Sequence, residues 1–189
     1  MTFRILWSLL LAGQFTFGQS VNHARVPGTK CSLIPPADFV AATSFNGFQQ
    51  TATGASIMVN ELPVAIQKMT DGFTAEALKS RGMTLISKEV IDFNNGKAVL
   101  LQVSQPANGT TYLKQILLFG DETLTVMVNG IYPETAKSIE IQLKASLLST
   151  VYSKSQDTGA LEAAAFSINT EGTGFIFVQA LAGSLLYSA

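Results

Sequence analysis

The chain has 189 residues, 47% of them hydrophobic and 13% charged, with 12 basic side chains against 13 acidic ones. A charged fraction about half the usual quarter, with no surplus of either sign, excludes a disordered chain, a coiled coil and a nucleic-acid binder. One Cys and one His exclude a disulfide framework, a thiolate zinc site and a multi-histidine metal centre.

Residues 1–19 read as an export signal. Arg4 supplies a positive start, Ile5 to Ala12 a short apolar core, and Thr16 and Gly18 the small residues that precede a cleavage point. The apolar stretch is shorter than the about 20 residues that span a bilayer, so no integral membrane segment is expected after cleavage. Residues 20–27 (SVNHARVP) then form a polar leader, expected to be mobile.

Residues 28–152 have the size of one domain. Lys30 to Ile34 is a short strand stopped by Pro35-Pro36, and Phe39 to Phe45 leads into an Asn46-Gly47 turn. Ala55 to Leu62 alternates Ile57 and Val59 with Ser56, Met58 and Asn60, as a half-buried strand does. Pro63 opens a helical stretch with Val64, Ile66 and Met69 inward. A second short helix, with Phe73, Ala77 and Leu78 inward, ends at Gly82. Four strands follow over Met83–Phe93, Lys97–Ser104, Thr111–Phe119 and Thr123–Ile131. Turn sequences join them at Asn94-Asn95-Gly96, Pro106 to Gly109 and Gly120 to Glu122. Leu113, Leu117 and Phe119 share one face while Ile116 and Leu118 line the other, so this meander needs cover on both sides. A last helix from Pro133 turns Ala136, Ile139, Leu143 and Leu147 inward, and Lys137, Glu140 and Gln142 outward. The predicted class is α+β, an antiparallel β-sheet meander with helices packed on it. Beyond it, residues 153–189 read as a linker and the start of a second, truncated β-rich domain. Its strand material is Phe175 to Val178 and Leu185 to Tyr187, after a turn at Gly172 and Gly174.

The order of short strand, Pro-Pro, ASIMVNEL-P, helix, meander and closing helix resembles the PsbP-like superfamily. Segments such as CSLIPPADF, GFTAEALKSRGMTLISKE and TVMVNGIYPE are similar to exported bacterial proteins of that fold. The resemblance covers about residues 28–152. It implies the α+β fold, and it brings no catalytic or metal motif onto this chain.

Chemistry-bearing residues are sparse. His23 lies in the leader, so no Ser-His-Asp or Cys-His arrangement can be assembled in the domain. Cys31 reads as a small buried hydrophobe. Asp121 and Glu122 suit a solvated turn, and Glu61, Asp71 and Asp92 are scattered without metal-ligand spacing. Lys88, Lys97 and Lys114 read as outward, solubilising positions on the meander. Surface recognition remains, with Phe45, Phe48, Tyr112 and Tyr132 near turns and sheet ends as the candidate binding surface. The sequence thus points to a non-enzymatic, exported domain, periplasmic or extracellular, that binds an envelope or secreted protein or assists envelope assembly, without a cofactor. The alternative is a small-molecule or lipid carrier with a pocket between sheet and helices.

Overall fold

The computed structural model describes residues 22–155, 168–181 and 184–188. The export signal expected over 1–19 lies outside the described residues.

Seven antiparallel strands form the main sheet: β3 (Val40–Ala41), β4 (Gly47–Gln50), β5 (Ala55–Leu62), β6 (Thr84–Phe93), β7 (Gly96–Ala107), β8 (Thr110–Gly120) and β9 (Thr125–Pro133). Their spatial order is β3-β4-β5-β9-β8-β7-β6, so the meander β6 to β9 folds back to place β9 beside β5. Two turns set this register. Asn94 and Asn95 have φ of 46° and 64°, and Asn108 and Gly109 have 50° and 76°. Both central residues at positive φ match the twist of the flanking strands. The β8–β9 loop is held differently, by an Asp121 carboxylate that accepts from the Thr123 and Leu124 amides and the Thr123 hydroxyl at 2.7–2.9 Å. Those bonds hold the Asp121 carboxyl below its ordinary pKa.

The sheet has two apolar faces, each with its own cover. Helices α1 (Ile66–Asp71) and α2 (Ala75–Lys79) pack Ile66, Met69, Phe73 and Leu78 onto Leu101, Val103, Ile116 and Leu118. Helix α3 (Glu140–Leu148), entered through a 3₁₀ turn over Glu134–Ile139, seats Ile139, Leu143 and Leu147 on Leu113, Leu117 and Val128 of the opposite face. The close seating of α3 depends on Gly130 of β9, where an added Cβ would lie 3.2 Å from Leu147 Cδ1. Lys88 of β6 ties the other layer down, its ammonium donating to the Thr70 and Phe73 carbonyls at 2.8 and 3.2 Å. The α+β architecture read from the sequence is therefore present, with helices on both faces.

Two expectations need correction. Residues 22–27 are not a mobile leader. Strand β1 (Ala24–Arg25) pairs with β2 (Cys31–Leu33), which pairs in turn with β10 (Val151–Tyr152). Val26 is buried, and the His23 ring bonds the Ser149 carbonyl at 2.8 Å. The physical reason is a need to cover the β4–β5 end of the α3 face, which α3 alone is too short to reach. The final helix also does not begin at Pro133, because β9 runs through that residue and a 3₁₀ turn intervenes. The tail's described residues contain one hairpin, β11 (Ile176–Leu181) and β12 (Ser184–Ser188), with β11 coming against β5. Both strands overlap the expected strand material, Phe175 to Val178 and Leu185 to Tyr187, with Phe175 just outside β11.

Candidate binding groove

Register alone locates a polar break in the α3 face. Reading across the sheet, Gly130 opposes Gln115, Gln115 opposes Gln102, and Gln102 opposes Ser87. The neighbouring row is apolar across three strands, Val128 to Leu117 to Leu100, and ends at Glu89. Glu140, at the start of α3, closes over the polar row. Gln102 Nε2 donates to Glu140 Oε1 at 2.7 Å, and Gln115 Nε2 to the Glu140 carbonyl at 3.3 Å. The sequence reading turned Glu140 outward; these two amides draw it against the sheet instead, since buried amides need partners.

Tyr132 lies fully buried beneath this cluster. Its pKa is pushed up to about 12, first by burial and then by the Glu140 carboxylate. The hydroxyl faces Glu140, Gln102 and Gln115 but forms no well-aligned hydrogen bond. Leaving a buried hydroxyl unpaired costs about 1–3 kcal/mol. Tyr132→Phe is therefore expected to leave stability unchanged or raise it by up to about 1 kcal/mol. Urea unfolding checks this, and a loss beyond about 1 kcal/mol would mean that the hydroxyl is bonded.

A groove of about 490 Å3 opens between α3 and the β6–β7 end of the sheet, because α3 sits over β8 and β9 and leaves the edge strands uncovered. Gln102, Gln115 and Glu140 lie along its polar side; Leu100, Ala145 and Leu148 line it with apolar surface. Ile141 stands at its wall 81% exposed, so α3 carries a second apolar stripe besides the one it buries. Glu89 on the strand side and Lys144 on the helix side add one charge of each sign. Exposed apolar side chains beside polar groups are the make-up of a contact surface. This groove can hold an amphipathic segment or molecule.

The four aromatic residues expected at the surface do not converge there. Phe48 and Tyr132 are in the core on the α3 face, a correction that follows from strand alternation: Phe48 opposes Ile57 and Tyr132 opposes Leu113, both inward. Phe45, in the β3–β4 connection, and Tyr112, near the start of β8, are half-buried and separate. The groove was missed because Gln115 sits between Leu113 and Leu117 in an inward series. That interruption was the available signal.

The carboxylates do not form a site. Asp71 accepts from Gln67 Nε2 at 2.7 Å on α1, and Asp92 pairs with Lys97 at 2.5 Å. Glu61 faces the other side of the sheet from Asp92 and lies four strands away, about 19 Å at the usual spacing. Among the described residues no group of His, Cys, Asp and Glu could hold a metal, and no helix is long and apolar enough to cross a membrane. Cys31 is fully buried, and its thiol is pushed up to about 12 by burial and by the Glu61 carboxylate.

Glu61 accepts from the Lys30 backbone N–H, joining the small sheet to the large one. Burial raises its pKa above the ordinary 4.5, the Lys30 N–H pulling the other way. In the window just above pH 4.5 the folded chain then binds more protons than the unfolded one, so this group's contribution falls as pH rises through its folded pKa. Glu61→Gln keeps an acceptor and removes the charge. Its stability is expected to exceed the wild type's increasingly from about pH 4.5 to neutrality, as thermal unfolding across that range would register. A gap that narrows with pH would refute the assignment.

No protein-family model matches the chain, and no curated protein matches it. Solved structures similar to it include the cyanobacterial PsbP (CyanoP) of Synechocystis sp. PCC 6803. That similarity has 11% identity and a TM-score of 0.49, over 75% of this chain and 99% of that one. LpqN, involved in cell envelope biogenesis of Mycobacterium tuberculosis, is similar at 13% identity and a TM-score of 0.48, over 71% of this chain and 86% of that one. A Bacteroides thetaiotaomicron protein is similar at 11% identity and a TM-score of 0.46, over 69% of this chain. The chain spans about half the length of that protein, 48%.

Proposed function

We propose that the chain is an exported, non-enzymatic, PsbP-like binding domain that engages a protein partner or assists an envelope assembly, with the groove between α3 and β6–β7 as its contact site. The observation that supports this reading is Ile141, left 81% exposed beside a groove whose other side is the polar row of Gln102, Gln115 and Glu140. Export is inferred from the N-terminal sequence. A photo-crosslinking residue placed at Ile141 is expected to give a discrete adduct in the producing cell's envelope fraction, and one placed at exposed Thr51, in the β4–β5 turn, none. Equal adducts at both positions, or none at either, would overturn the reading. Small-molecule or lipid carriage is the second reading, supported by a volume of about 490 Å3, within the range of ligand pockets. Native mass spectrometry of the purified chain separates the two, since a carrier retains a bound molecule.

A further inference from the structure

Strand β6 is one edge of the seven-stranded sheet, and among the described residues no strand pairs with its outer side. It is ten residues long and carries Val90 at 69% and Ile86 at 51% exposure. Long apolar edges are ordinarily blunted by charge or by a bulge. β6 has both, a register shift between Leu85 and Ser87 and the charges Lys88, Glu89 and Asp92. The arrangement of those charges is self-complementary. Lys88, Val90 and Asp92 alternate onto the α1–α2 face. An antiparallel partner related by a twofold axis through Val90 therefore sets Val90 against itself and Lys88 opposite Asp92, twice. Shifting the axis to Glu89 opposes like charges, and shifting it to Ile91 sets Asp92 against Val90; each loses both ion pairs.

We infer that β6 is a self-association edge, and that two copies of this chain join there antiparallel about Val90 into one continuous sheet. Directly opposed side chains in such a pair lie about 5 Å apart, close enough for opposite charges to interact. The same patch serves both copies, as a closed twofold contact requires. The Lys88 ammonium gives two of its three hydrogens to the Thr70 and Phe73 carbonyls, and among the described residues no carboxylate forms a salt bridge with it. Asp92 bonds Lys97 through Oδ1, so its second oxygen can meet the incoming lysine and extend a row of alternating charge across the joint. This inference does not depend on what the groove holds.

Sedimentation equilibrium of the full chain tests it. The wild type is expected to populate dimer increasingly with concentration. Lys88→Asp and Asp92→Lys, each alone, are expected to associate at least tenfold more weakly, and an equimolar mixture of the two to recover dimer, because every altered charge then meets its opposite. Val90→Lys, on an exposed position that leaves the fold intact, is expected to weaken association to a similar degree. A wild type that stays monomeric up to about 1 mM, the weak end of specific association, overturns the inference. So does a dimer that Val90→Lys leaves unchanged, or one that the mixture fails to restore.

Discussion

Gly120→Ala is expected to be one of the two most damaging single-methyl changes among the described residues, costing about 4 kcal/mol or more. Gly120 has φ of 157°, and an alanine Cβ there would lie 2.0 Å from the Leu124 carbonyl oxygen. That oxygen accepts from the Asp121 amide at 2.8 Å, so it cannot retreat without opening the β8–β9 loop. Gly47 repeats the geometry, with φ of 155° and the Ile57 oxygen 1.9 Å from a built Cβ. A domain of this size is stable by about 5–15 kcal/mol, so either change removes much of the margin. Gly82→Ala is the control. Its φ of 71° is unfavourable for alanine, but a Cβ meets nothing within 4 Å, so its cost should stay near 1–2 kcal/mol. Urea midpoints of the three variants separate close approach from backbone preference. Equal midpoints would show that close approach contributes nothing.

Leu143→Ala should cost about 2–5 kcal/mol, the range for emptying a fully buried leucine site. Leu143 is the middle of the three side chains that hold α3 to the sheet, and it passes close to Gly130. The vacated volume cannot easily collapse, because Leu147 sits close over Gly130, 3.2 Å from where a Cβ would lie, and Ile139 is the last residue of the 3₁₀ turn. The loss should also loosen Glu140 from Gln102, so tryptic cleavage after Lys144 is expected to accelerate along with the fall in melting temperature. A variant that melts like the wild type would mean that the small sheet, and not α3, holds this face.

Local chemistry made the meander legible. Asn-Asn-Gly and Asn-Gly specify their own turns, and the alternation of Leu113 to Phe119 fixes which residues share a face. Strand β5 was read with its bounds intact, because Ile57 and Val59 alternate cleanly and Pro63 stops them. The two-residue strands β1 and β10 left no periodic trace; they exist through pairing with β2, a relation between distant parts of the chain. The groove was hidden for the same reason. Gln115 by itself is only an interruption in an apolar series, and it becomes a polar row with Gln102 only when β7 and β8 are set side by side. The aromatic surface failed because nearness to a turn does not decide burial: Tyr132, almost at the end of β9, still points inward.

The small sheet also orders events in time. The His23–Ser149 bond joins residues 126 apart, and the Ile34–Ser149 and Ser146–Ile34 bonds span 115 and 112 positions. The hairpins of β6 to β9 close over short loops and can form as soon as they emerge, whereas β2 must wait for β10. Contacts of such long sequence separation slow folding, since loop-closure entropy is spent before they form. Until Tyr152 arrives, Cys31 has no strand partner on the β10 side. The N-terminal segment therefore closes late: β2 completes its pairing, and the domain its small sheet, only once the last helix and β10 are in place.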